Sequence, residues 1–219
     1  GALFFKIIPW DALAIGSPRS ILAGTALLVM LLIRHHRFRL NRTVLITAGA
    51  ISVTNTLYAM ANKLTTAGNT IVLQFTMPVF VILIMLLFFG QRPSRLEIGT
   101  CVVTLIGIAL FFLDSLSAGN LLGNLLALLS GMAYGVFFVW NSREDSEPFT
   151  SILISYLIAG LIGLPALLKT DFAATPGPVW LAVLGLGLLQ QAAGHLLFAL
   201  GIKRTPAVTG SLISGIEPI

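Results

Sequence analysis

Ile51, Asn55, Tyr58 and Asn62 are spaced four, three and four residues apart, which puts them on one face of a helix. Moving 140 residues along the chain gives Gln191, His195, Phe198 and Ile202 at the same spacing. Amides, a phenol and an imidazole on two matched faces can hydrogen-bond a polar solute between them. They can equally bond one helix to another, since Asn, Gln and His also hold membrane helices together. Gln74 and Ser214 form a second matched pair, each one turn before a proline, Pro78 or Pro218. Proline removes a backbone donor and clashes with the carbonyl four residues back, so a kink is expected at both places, aimed either at a cavity or at packing. Glu217, next to Pro218, is an acid in an otherwise apolar run. A charge at mid-membrane costs at least about 2.5–3.5 kcal/mol on insertion scales, which favours a hydrated cavity, a basic partner or protonation.

The remaining polar residues suggest less. Arg19 lies a third of the way into an apolar run, and snorkelling or structural pairing is expected ahead of holding an anionic solute. His35 and His36 are adjacent in a basic loop without a neighbouring Cys or carboxylate in sequence, and no metal site is expected there. Gly131 and Gly135 form a small-xxx-small pair that predicts a close helix contact, while Ser130 and Tyr134 beside them have no assigned direction. The stretch "NSREDSEPFT" mixes charge signs and reads as a solvated linker. The lone Cys101 excludes an intramolecular disulfide and reads as packing. There is no Gly-rich phosphate loop, nucleophile–base pair or two-histidine helical motif, so no catalytic residue and no cofactor are expected.

The elements that must carry these residues are apolar helices. Hydrophobic residues make up 57% of the chain and charged residues 10%, against about 25% charged in soluble domains. The net charge of +5 sits in short gaps between apolar runs, which argues against nucleic acid as partner. A helix needs about 20 apolar residues to cross a bilayer. The expected spans are 12–33, 43–61, 70–89, 98–113, 121–140, 152–168 and 179–201, preceded by an apolar remnant at 1–9 and followed by a partial span from about 206. Both ends fall inside such runs, so the chain reads as a piece of a longer protein, of about eight and a half helices. Lysines and arginines favour alternate gaps by nine to two. The positive-inside rule then places 34–42, 90–97, 141–150 and 202–205 in the cytoplasm.

The stretch "KLTTAGNTIVLQFTMPV" at 63–79 echoes "KRTPAVTGSLISGIEPI" at 203–219, with six identities over the 30 positions from Ala50 to Val79. The two copies lie five spans apart, an odd number, so they face opposite ways and predict inverted repeats. Repeat boundaries at 1–115 and 116–219 follow.

Together "MPVFVILIMLLFFGQRPS", "GIEPI", Arg19 and above all "ANKLTTAGNTIVLQFTMPVFV" resemble the drug/metabolite transporter superfamily, in its EamA-like branch of exporters and permeases. The resemblance implies an all-α, polytopic bundle of ten helices in two inverted halves of five, in a bacterial cytoplasmic membrane. It implies secondary transport of a small metabolite, amino acid or drug-like solute by alternating access. Partners would be the solute, the bilayer, and protons or a counter-substrate, with a monomer or a homodimer as the unit. Members often carry "GE" where the fourth span ends; here the pair is Gly90–Gln91, which removes that carboxylate from the first half. On this reading Asn55, Tyr58, Gln74, Gln191, His195, Ser214 and Glu217 contact the solute. A non-transporting membrane interaction protein, or an intramembrane enzyme, is the alternative.

Overall fold

A computed structural model describes residues 2–114, 120–172, 175–202 and 205–214. The described residues are almost entirely helical. Helices α1 (Ala2–Ile7), α2 (Ala12–Ile33) and α3 (Arg42–Leu64) are followed by a pair, α4 (Ala67–Gln74) and α5 (Met77–Phe89), then α6 (Arg95–Asp114), α7 (Leu121–Asn141) and α8 (Pro148–Leu168). The next span is built of α9 (Gly177–Leu184), a π-helical segment (Gly185–Ala193) and α10 (Gly194–Ile202), and α11 (Ala207–Ser214) ends the described chain. Among the described residues, six helical stretches are long and apolar enough to cross a membrane, by length and composition: 12–33, 42–64, 67–89, 121–141, 148–168 and 177–202. Each overlaps an expected span, and α6 covers the one expected at 98–113.

Local chemistry sets the boundaries. Asn41, Thr66, Asn120 and Glu147 each cap a helix by accepting a backbone N–H two or three residues on. Gly90 closes α5 in the left-handed conformation (φ +64°), where a Cβ would be strained. Pro78 cannot bond the carbonyl of Gln74, so the expected kink is a break: α4 stops at Gln74 and α5 restarts at Met77, with Pro78 in its first turn. Gly131 of α7 packs on that break, where a Cβ would stand 2.8 Å from the Gln74 carbonyl oxygen, and Gly135 packs on Phe80 and Met77. The small-residue pair is thus the close contact its spacing predicts.

The centre of the bundle is α2 packed along α8 and α3 packed on α7 and α8, with α2 also against the π segment. Ser17 donates to the Gly160 carbonyl at 2.9 Å, Gly24 meets the Tyr156 side chain, and Gly163 lies against the Leu13 carbonyl and Ser17. Buried apolar residues form two clusters. One holds Ile15 of α2, Ala59 of α3 and Phe5; the other holds Ala23, Leu27 and Leu31 of α2, Ile51 of α3 and Phe137. Arg19 and Asn55 therefore fall between the two clusters along α2 and α3. The outside is apolar as well: Phe88 and Leu189 are about three-quarters exposed, among many other large aliphatic side chains. Such a surface suits lipid rather than water.

The segment joining α7 to α8 departs from the solvated linker its charges suggest. Ser146 and Glu147 are buried, and Asp145 takes a hydrogen bond from the Thr43 hydroxyl while its carbonyl accepts from Asn41. Residues far apart in sequence supply these partners, so composition alone did not show them. His36 also has a carboxylate neighbour after all, since its Nε2 lies 3.3 Å from Glu147, between the rings of Phe38 and Phe149.

Candidate functional site

Between α3, α4, α7, the π segment, α10 and α11 lies a cavity of about 450 Å³, within the range of small-molecule sites. Asn55, Tyr58, Gln74, Gln191, His195 and Ser214, which the sequence placed on matched faces, all line it. Ile51, Phe198 and Ile202 of the same faces line it too. Asn62 does not. It is fully buried and donates back to the Tyr58 carbonyl at 3.0 Å, so the fourth residue of the α3 face serves its own helix. Glu217 lies outside the described residues.

Several lining residues have their orientation fixed from behind. Gln74 donates to Ser130 of α7 at 3.3 Å, and Gln191 donates to Ser20 of α2 at 3.4 Å. Tyr156 of α8 is buried; its hydroxyl donates to the Gln191 carbonyl at 2.9 Å and lies 2.8 Å from His195 Nδ1. A hydroxyl has one proton. With that proton on the Gln191 carbonyl, His195 Nδ1–H donates to the hydroxyl, and Nε2 of the neutral ring carries the lone pair.

Other groups are left unpaired. Asn55 Nδ2, Gln190 Oε1, Gln191 Oε1 and Arg19 Nε are buried without a hydrogen-bond partner among the described residues. An unmet buried polar atom costs about 1–3 kcal/mol, and native structures carry few. Here four of them belong to residues lining one cavity. Their hydrogen bonds are left to be completed by groups other than the described residues.

Arg19 does not snorkel. It is 3% exposed, lines the cavity, and its guanidinium stands 4.9 Å from the centre of the Phe5 ring. That cation–π contact is worth about 0.5–2 kcal/mol, whereas burying an ion costs several kcal/mol, so the ring offsets only part of the cost. No Asp or Glu lines the cavity among the described residues. Sequence reading missed Arg19 because a lone cation in an apolar run looks the same whether it points to lipid or inward. It missed Gln190 for a different reason. In an α-helix neighbouring residues point about 100° apart, so Gln190 and Gln191 should diverge. The wider π turn lets both face the cavity with His195, and π segments often mark functional sites. Tyr134, whose direction the sequence left open, lines the α7 wall.

The EamA-like transporter family matches residues 1–113 and again 121–219. The chain belongs to that family. A protein of Clostridium kluyveri described as an uncharacterized transporter is 25% identical over 185 residues, which is 77% of this chain and 58% of that one. The chain thus spans less than two-thirds of the length of the curated relative. A crystal structure of a protein shares the fold, with a TM-score of 0.74 at 17% identity over 96% of this chain and 76% of that one. With six stretches among the described residues able to span a bilayer, this member of the EamA-like family is a multi-pass membrane protein.

Proposed function

We infer that the protein is a secondary transporter that carries a small polar solute through the cavity by alternating access. The carrying observation is that residues 140 positions apart in sequence, Asn55 with His195 and Gln74 with Ser214, line one cavity. A site shared by two halves of a chain can be exposed to either side by rocking one half against the other. Three further features support this reading. The family matches the chain twice; α4 and α11 begin at Ala67 and Ala207, the same 140 residues apart; and α2 packs on the π segment as α8 packs on α3. The two apolar clusters that flank Arg19 and Asn55 would be the gates. On this reading the halves are inverted repeats within a ten-helix protein of the cytoplasmic membrane. Glu217 would add a carboxylate that couples a proton, or a counter-substrate, to the solute.

The test is a solute screen with the full-length protein in proteoliposomes. Uptake of some small solute is expected, with loss of most of the flux in Asn55→Ala and in His195→Ala, each checked for folding by a melting curve. Full flux in both variants would move the pathway away from this cavity.

A further inference from the structure

Resting on the cavity as the solute site, we propose that Arg19 is its anion-binding residue and that the solute carries a carboxylate on an aromatic or aliphatic body. Arg19 is nine-tenths or more buried, its Nε has no partner among the described residues, and it lines the cavity. A guanidinium stays charged at any physiological pH, so it cannot relieve its burial by losing a proton. Something must balance that charge. Phe5 does so in part from one side, and no carboxylate among the described residues of the cavity wall does so from the other.

The rest of the wall restricts what the counter-anion is attached to. Tyr58, Phe75, Tyr134 and Phe198 give the cavity aromatic sides. The unpaired Asn55 Nδ2 is a donor and suits a second oxygen of the same head group. A guanidinium and an amide N–H together match a carboxylate, which accepts through both oxygens. The unpaired Gln190 and Gln191 oxygens are acceptors and suit a donor elsewhere on the solute.

The test is calorimetric binding to the full-length protein in detergent with three probes of one shape: hydrocinnamate, the uncharged hydrocinnamide, and the cationic phenylpropylamine. Hydrocinnamate is expected to bind at least about tenfold more tightly than either, the discrimination one charge-assisted pair supplies. Arg19→Gln should abolish the preference for hydrocinnamate over hydrocinnamide, and Arg19→Lys should keep part of it. Because hydrocinnamide binding reports that Arg19→Gln is folded, a misfolded variant is recognised, and the three-probe series in the unaltered protein then decides alone. Equal binding of the three, a preference for the amine, no binding at millimolar concentration, or a melting point lowered by Arg19→Gln with the preference intact would each overturn the anion site. Flux measured beside binding separates this result from the transport reading. Binding through Arg19 without any flux would remove transport and keep the anion site. Flux indifferent to solute charge and to Arg19→Gln would do the reverse.

Discussion

Asn55 and His195 stood out in the sequence because a polar group in an apolar helix is costly and its direction follows from helical spacing. What supports them could not be read that way. Tyr156 sits on a third helix, and only the packing of α8 against the π segment brings its hydroxyl to the Gln191 carbonyl and the His195 ring. Tyr156→Phe keeps the ring and removes that hydroxyl. It should lower stability by about 1–3 kcal/mol, the cost of leaving buried partners unmet, seen as a lower melting temperature in detergent. An unchanged melting temperature would mean the hydroxyl contributes no net stability. Asp145, outside the membrane spans, allows a pH test. The Thr43 hydroxyl, and then Arg143, hold its carboxyl below the usual carboxylate range. A depressed folded value contributes stability above the unfolded pKa of about 3.9 and loses it as pH falls through the folded one. The melting-point advantage of the natural protein over Asp145→Asn should therefore be full above about pH 5 and close at lower pH. An advantage that stays the same from neutral to strongly acidic buffer would sink this account.

At the scale of elements, helix positions were legible because spans are long and apolar, and the break before Pro78 followed from proline chemistry. The π segment was not legible. Nothing in "GLGLLQQAA" marks one extra residue per turn, and its geometry reflects contact with α2, where a Cβ on Gly187 would stand 3.1 Å from the Arg19 carbonyl oxygen. Glycines in these helices are likewise of two kinds that the sequence does not separate. A Cβ on Gly163 would come 2.3 Å from the Leu13 carbonyl oxygen, which is backbone and cannot swing away, while one on Gly49 meets nothing within 4 Å. Gly163→Ala should therefore force α8 off α2 and cost about 1–3 kcal/mol or more. Gly49→Ala should be neutral or stabilising by up to about 1 kcal/mol, through helix propensity alone. Thermal melts of the two variants check this, and equal effects would show that the α2–α8 contact is looser than described.

At the scale of the whole molecule, charge rather than packing points to the orientation. Loop 34–42 carries Arg34, Arg37, Arg39 and Arg42, whereas loop 115–120 carries no basic residue. Arginine resists translocation across an energised membrane, so the richer loops are expected on the cytoplasmic side. The number of crossings between them tests the rule. Between loop 34–42 and loop 115–120 the chain runs through α3, the α4–α5 pair and α6. If each crosses once, that is three crossings, so the two loops must lie on opposite sides. Continuing through α7 returns the chain to the α7–α8 segment, whose Asp145 is hydrogen-bonded to Thr43 at the start of α3. That contact puts the α7–α8 segment beside loop 34–42, on one side of the membrane, and it owes nothing to the arginine count. On that count the two lines agree on relative placement and leave the absolute side to charge. Single cysteines at His35 and Ser117, in a Cys101→Ser background, decide it in intact cells. An impermeant maleimide should label position 117 at once and position 35 only after permeabilisation. The opposite pattern would invert the protein and place Arg19 and its cavity in the same bundle facing the other way. Labelling of both from outside would break the three-crossing count, and with it the inverted-repeat reading of the two halves.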